Sequence, residues 1–319
     1  MKKFISLSVA TAILLIISGC ANNDSRLDTR FIFDTVVKLD IECDDETLLE
    51  AFALCEKYDK LFSKTNTDSE LYRINNSKGF VSCDEELLHI IERGLYFSKL
   101  SKGAFDITIS PVSDLWDFEG TALPDKDEIA EALKNVDYEA IEIKDGKINL
   151  NGKKIDLGGI AKGYIADRLK EFFEEKGVKN GIINLGGNIY TFGEKTTLGI
   201  ANPKKPDEAV LRLDCKDISL ATAGTYQRNM IIDGTVYHHI LDTKTGYPCD
   251  SEVVSATIIG KDSADCDAIS TICVLLGEQK ALELVNSLKG TEAVLILKDG
   301  SISYTNGLYL EADQILFKN

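Results

Sequence analysis

The stretch Lys154-Ile155-Asp156-Leu157-Gly158-Gly159-Ile160-Ala161-Lys162-Gly163-Tyr164 decides how the chain is read. Ile155 and Leu157 alternate with polar residues, which is the period of a half-buried strand. Gly158-Gly159 lets the backbone turn sharply and approach a ligand closely. From Ile160 the period changes, and Ile165, Leu169, Phe172 and Phe173 fall on one helical face. The spacing predicts a strand end, a turn and a helix in succession. A helix N-terminus behind glycines offers unpaired N–H groups and a positive dipole end to a phosphate. An ordinary strand-to-helix turn has the same look. A Walker A loop is excluded, because Lys162 precedes Gly163 and Tyr164 stands where Ser or Thr is required.

Outward from this stretch, alternation predicts a strand over Arg30–Ile41. Asp44 or Asp45 caps a helix running to Phe62, and a second helix spans about Asp84–Ser101 with His89 as a surface or packing residue. Further predicted elements are a helix at Lys126–Leu133 and a hairpin turning at Asp145-Gly146. Gly181–Tyr190 reads as an apolar strand interrupted by a second glycine pair, and Ala201–Pro206 as a loop. Strands follow at Ile218–Arg228, Tyr237–Pro248 and Val253–Ile259, the first two ending in turns. Asp262 or Ser263 caps a helix stopped by Gly277; another helix spans about Gln279–Leu288, and strands at Ala293–Leu297 and Ile302–Tyr304 follow. Strands come in runs and helices are unevenly interspersed, so the expected fold is α+β, with a mixed, largely antiparallel sheet and flanking helices.

The 319 residues are 44% hydrophobic and 28% charged, an ordinary globular composition. A net charge of −16 argues against nucleic acid or anionic lipid as a partner. It also means that a polyphosphate ligand needs a locally positive pocket or a metal. The eight cysteines form no CxxC pair, which argues against a zinc or thioredoxin-type motif, and Cys266 and Cys273 read as small buried hydrophobes. Lys2 and Lys3 precede an apolar run, Phe4 to Ile17, too short for a transmembrane helix. The run ends Ile16-Ile17-Ser18-Gly19-Cys20, which resembles a bacterial lipobox. That resemblance implies a signal peptide over residues 1–19, removed before Cys20, and lipid on Cys20 that holds an exported protein to the outer side of the membrane. Residues 20–30 read as a polar tether and 31–319 as the domain.

Several residues could carry chemistry. Asp267 and Thr271, four apart on a predicted helix, present a carboxylate and a hydroxyl on one face. Such a pair can ligate a hard cation, or be a solvated Asp beside a Thr bonded to its own helix. His238 and His239 point to opposite faces of a strand, with Asp242 nearby; they are candidate acid–base groups or a polar strand end. Trp116, the only tryptophan, is either a core aromatic or a stacking wall for a flat ring. There is no GxSxG, HExxH or GxGxxG, so ordinary hydrolase, zinc-protease and Rossmann readings lack support.

Taken together, the motifs resemble the ApbE family of flavin transferases. The resemblance is carried by Asp156-Leu-Gly-Gly-Ile-Ala-Lys-Gly163, Asn184-Leu-Gly-Gly-Asn188, His239-Ile-Leu-Asp242 with Thr245-Gly246, and Asp267-Ala-Ile-Ser-Thr271. Support comes from Gly103–Asp106 through Trp116, Asp68-Ser-Glu70 and Ala223–Tyr226. It implies an exported enzyme that cleaves FAD, transfers FMN to a Thr or Ser hydroxyl of an acceptor protein with Mg²⁺, and releases AMP. It implies metal ligands at the Ala161 carbonyl, Asp267 and Thr271, and an essential histidine at His239. The implied FAD pocket includes Trp116, Asp156, Lys162, Asn184, Gly186, Gly187, Asn188 and Thr225. Acceptors would be exported flavoproteins, including membrane redox-pump subunits. Water in place of the acceptor would make the same site an FAD pyrophosphatase, and a lipoprotein that binds flavin without chemistry is the third reading. Two departures stand out: Thr243 follows Asp242 where the family commonly has Pro, and Phe33-Asp34-Thr35 replaces Met-Gly-Thr.

Overall fold

The computed structural model describes residues 25–318. Strands β1 (Arg26–Ile32) and β2 (Thr35–Ile41) form a hairpin where one strand was predicted. Phe33 and Asp34 both take positive φ, 59° and 54°, the conformation of a tight hairpin turn. The apolar alternation runs straight through the turn, and neither turn residue is glycine, so period alone hides it. Residues 26–30, which the sequence reading assigns to the tether, are paired in β1. The lipidation residue Cys20 and the signal segment lie outside the described residues.

An aspartate starts the first helix as predicted. Asp44 accepts the Thr47 N–H at 2.7 Å before α1 (Asp45–Phe62). After the short α2 (Glu70–Asn75) and β3 (Val81–Ser82), Asp84 caps α3 (Glu85–Leu100). One turn, α4 (Ser110–Ser113), precedes α5 (Lys126–Leu133), capped by Asp125, and the hairpin β4 (Glu142–Lys144) and β5 (Lys147–Asn149). Helix α6 (Ala161–Glu175) leads to β6 (Gly181–Leu185) and β7 (Asn188–Phe192). These are two strands of one hairpin, and Gly186 and Gly187, at φ 62° and 101°, make its turn. A second hairpin, β8 (Thr196–Asn202) and β9 (Lys205–Cys215), takes in the predicted loop around Pro203. Then come β10 (Ile218–Gly224), the hairpin β11 (Asn229–Ile232) and β12 (Thr235–His238), and β13 (Val253–Gly260). The strand predicted over Tyr237–Pro248 therefore stops at His238. Helices α7 (Ser263–Leu276) and α8 (Glu278–Ser287) precede β14 (Glu292–Leu297), β15 (Ile302–Tyr304), β16 (Leu308–Glu311) and β17 (Gln314–Phe317).

The main sheet has eight strands in the order β1-β2-β6-β7-β10-β13-β14-β15, each neighbouring pair antiparallel. One face carries Val37, Leu39, Ile183, Ala221 and Ile258 against the helices. Side chains that alternate with these, among them Ile189, Leu220 and Ile259, pack on a four-stranded sheet, β16-β17-β9-β8. Burial on both faces explains why β13 is apolar nearly throughout. A third small core of Val112, Trp116, Phe118, Ile129, Met230 and Leu241 sits under α4, α5 and the β11–β12 hairpin.

The segment 154–157 is extended but joins no sheet, which corrects the predicted strand. Its alternation is real, with Ile155 and Leu157 buried. Its backbone partners come from elsewhere: the Asn75 side chain both accepts from Ile155 N and donates to Ile155 O, at 2.8 and 2.9 Å. Asp156 N donates to Ile107 O at 2.7 Å. An asparagine side chain thus does what a neighbouring strand would do.

Helices α6 and α7 cross at Gly163. A Cβ there would overlap the Ser263 carbonyl oxygen and stand 2.7 Å from Asp267 Cβ. Two carboxylates fasten the crossing. Asp267 Oδ2 accepts from Gly163 N at 2.9 Å, and Asp167 accepts from Ser263 N and Ala264 N, each at 2.9 Å. Burial, with Asp262 beside it, pushes the Asp167 carboxyl up to about 7. The obstacle at Gly163 is main chain and cannot rotate away. Gly163→Ala is therefore expected to destabilise the protein by about 3 kcal/mol, the upper part of the overpacking range. The measurement is a urea midpoint at unchanged slope, and a loss under about 0.5 kcal/mol, typical of a neutral surface change, contradicts the close crossing.

Candidate active site

The glycine turn is held by Asp156. Its Oδ1 accepts from Gly158 N at 2.8 Å, and its Oδ2 takes the Ser113 hydroxyl at 3.0 Å and the Lys64 ammonium at 2.8 Å. Burial on its own would raise this carboxyl. Lys64, with the bonds from Gly158 and Ser113, outweighs it and holds the group below the usual carboxylate range. Lys162 reaches back to Gly158 O at 3.3 Å. The expected open helix end is partly committed: Ala161 N bonds Leu157 O, and Gly163 N bonds Asp267. The donors left for a phosphate are fewer than the sequence pattern suggests.

That same Gly163–Asp267 bond brings the candidate metal donors together. Ala161 opens α6, Asp267 reaches its first turn, and Thr271 lies one turn further along the same face of α7. The hydrogen bonds among the described residues use only Oδ2 of Asp267, which leaves Oδ1 for a ligand. No group of three or more His, Cys, Asp or Glu that could hold a metal ion is found among the described residues. One carboxylate, one hydroxyl and one carbonyl make an all-oxygen set, which fits a hard cation that keeps water and takes up substrate oxygens.

His239 follows β12. Its N–H and Nδ1 both meet the Arg228 carbonyl, at 3.1 and 3.2 Å. With Nδ1–H donated there, Nε2 is the proton acceptor. Burial pushes the imidazole down to about 4, and the Arg228 bond offsets this only in part; His238, Lys162 and Arg228 lower it further. The ring is thus neutral at physiological pH, and Lys162 of the glycine turn stands near it. Among the described residues no carboxylate bonds His239; Asp242 Oδ1 instead accepts from Lys244 N at 2.8 Å and shapes its own turn. His238 faces the other way, buried, with Nε2 3.2 Å from Cys249 O. Thr243, which stands in the place of the expected Pro, donates its hydroxyl to Gly103 O at 2.7 Å and ties down the turn by other means.

Trp116 is a core aromatic here. It stacks on Phe118 with centroids 5.7 Å apart and donates Nε1–H to Gly246 O at 2.9 Å. It supports the His239–Gly246 turn from beneath. In the β6–β7 turn, Asn184 Oδ1 accepts from Gly187 N at 3.1 Å, and a Cβ on Gly186 would overlap Thr35 Oγ1. Asn188 is 2% exposed, and its Nδ2 lacks a partner among the described residues. A buried donor of this kind calls for an acceptor. Thr225 sits at the same end of the main sheet, its N–H and hydroxyl on Val254 O. Sequence reasoning missed Lys64, Ser113, Asn75 and Arg228. Arg228 acts through its carbonyl, and the others lie in polar or short segments with no motif.

A glycine turn, a glycine-paired hairpin and a histidine turn are set around an antiparallel sheet of an α+β fold. A sequence model of the ApbE family matches residues 33–295, and the chain belongs to that family. The FAD:protein FMN transferase of Treponema pallidum (strain Nichols) is 31% identical over 291 residues, covering 82% of this chain and 80% of that protein. That of Klebsiella pneumoniae (strain 342) is 32% identical over 268 residues, covering 81% and 84%. The crystal structure of the ApbE protein from Thermotoga maritima superposes with TM-score 0.82 at 29% identity, covering 88% of this chain and 97% of that one. The flavin transferase ApbE from Vibrio cholerae shares the fold, with TM-score 0.78 at 22% identity over 88% of this chain and 96% of that one.

Because burial lowers His239, an NMR pH series should give its midpoint at about 4. The unfolded chain takes up this proton first. Its contribution to stability is therefore present above the ordinary histidine range and is lost as pH falls from roughly 6.5 towards 4. A midpoint of about 6.5 contradicts the desolvated site.

Proposed function

We propose that this chain is an FAD:protein FMN transferase that moves FMN from FAD to a Thr or Ser hydroxyl of an exported protein. The observation that carries the reading is His239, neutral and oriented by the Arg228 carbonyl so that Nε2 is the proton acceptor. In the reaction, the acceptor hydroxyl oxygen attacks the phosphorus of the FMN half. The bond from that phosphorus to the bridging oxygen breaks, AMP leaves, and the hydroxyl proton passes to His239 Nε2. Lys162, near both the glycine turn and His239, contributes positive charge in a protein of net −16. Ala161 O, Asp267 and Thr271 would hold Mg²⁺. The ion, when bound, would offset charge on the pyrophosphate.

The acceptor class follows the same reading: exported flavoproteins, among them subunits of membrane redox pumps. We place the enzyme on the outer face of the membrane, anchored through lipid on Cys20.

The test incubates the protein with FAD, Mg²⁺ and a candidate acceptor, and follows AMP release and an FMN-sized mass gain on the acceptor. Both are expected together, and AMP without mass gain would mean hydrolysis. His239→Ala is expected to lower single-turnover transfer by at least about a hundredfold, the usual contribution of a general base. Asp267→Ala is expected to raise the Mg²⁺ concentration required. Full transfer by His239→Ala contradicts the base assignment, and unchanged Mg²⁺ dependence contradicts the metal site.

A further inference from the structure

We propose that Lys64 is a positioning residue of the flavin site, acting through Asp156 to hold the Gly158-Gly159 turn. The inference rests on the flavin-site reading above. Lys64 lies in the loop after α1, ninety-two positions from Asp156 in sequence. Its Nζ is 2.8 Å from Asp156 Oδ2, 2.6 Å from Asp114 Oδ1 and 2.7 Å from Ser113 Oγ. The other oxygen of Asp156 accepts the Gly158 amide at 2.8 Å. The chain of contacts therefore runs ammonium, carboxylate, turn amide.

The environment shows why the ammonium is needed. Asp156 is half-buried, and its desolvation favours the protonated form. The groups facing it are Lys64 from the loop, Ser113 and Asp114 from the end of α4, and the Gly158 amide. Lys162 bonds the turn itself at Gly158 O. Of these, Lys64 is the cation in contact with the carboxylate, and it is shared with Asp114. Both neighbours keep Lys64 protonated despite its own burial. Without Lys64, only the Gly158 and Ser113 bonds oppose desolvation, and the carboxyl takes up its proton at higher pH than in wild type. A neutral carboxyl accepts the Gly158 N–H far more weakly, and the turn loses its hold.

A double-mutant cycle with a pH series decides this. FAD is titrated into wild-type protein, Lys64→Met, Lys64→Arg, Asp156→Asn and the Lys64→Met/Asp156→Asn pair. Lys64→Met should bind FAD about tenfold more weakly at acidic than at alkaline pH, the effect of losing a charge-assisted hydrogen bond. Wild type and Lys64→Arg should stay flat. In the Asp156→Asn background, Lys64→Met should add less than about twofold, because its route is already cut. Losses that multiply in the pair, or a Lys64→Met loss equal at every pH, would overturn the proposal and make Lys64 a direct flavin contact. The Gly158 amide resonance supplies a readout without ligand: it should titrate in Lys64→Met and not in wild type. If wild type fails to bind FAD, the flavin reading falls, while the amide still decides whether Lys64 holds the turn. An amide insensitive to pH in Lys64→Met sinks the proposal independently of FAD.

Discussion

Two carboxylates hold α6 to α7, each reaching across to backbone N–H groups of the other helix. Asp267 on α7 takes the Gly163 amide, and Asp167 on α6 takes the Ser263 and Ala264 amides. The bonds are reciprocal, so the two helices cannot slide without breaking both. The missing side chain at Gly163 allows the close approach. The candidate site inherits its geometry from this crossing. Ala161 and the glycine turn belong to α6 and the segment before it, while Asp267 and Thr271 belong to α7. The sheet beneath supplies the remaining parts at one end, where β2 starts, β6 turns into β7 and β10 ends.

The electrostatics of the site oppose those of the whole chain. A molecule of net charge −16 repels polyphosphates at long range. Locally, several of its acidic groups are paired. Asp156 is paired with Lys64, Asp167 with two amides, and Arg93 takes both Asp262 and Asp265. Among the described residues Lys162 is bonded to a carbonyl alone, and His239 is kept neutral by desolvation. At the proposed site a substrate anion would meet these donors and a proton acceptor, with Asp267 Oδ1 as the carboxylate oxygen left for a cation.

What was legible in the sequence follows from how local each cause is. Helix starts were legible because an aspartate cap acts within three residues, as Asp44, Asp125 and Asp262 do. The α+β class and the site motifs were legible for a similar reason, since glycine pairs and the Asp267–Thr271 spacing are short-range signals. The turn at Phe33-Asp34 was not, because hydrophobic alternation is blind to a reversal that keeps its phase. The extended segment at Ile155 was misread as a strand because Asn75, eighty positions away, satisfies its backbone. Trp116 had two fates that the sequence left open, and its bond to Gly246 O decides for support of the histidine turn. Lys64 carries no motif because its meaning lies wholly in what it touches.

The four-stranded sheet has a consequence for how the molecule is made. Its centre is the pairing of β17 with β9, the one parallel strand pairing among the described residues, which joins Gln314 and Ile315 to Arg212 and Leu213. The last strand of the chain therefore completes a layer whose other half is finished a hundred residues earlier. Until it arrives, the apolar back of the main sheet at Ile189, Leu220 and Ile259 lacks part of its cover. Synthesis order and assembly order diverge, and closing such distant pairs is slow. A half-made chain thus exposes a sticky sheet face, and the species at risk of clumping is the nascent one rather than the finished protein.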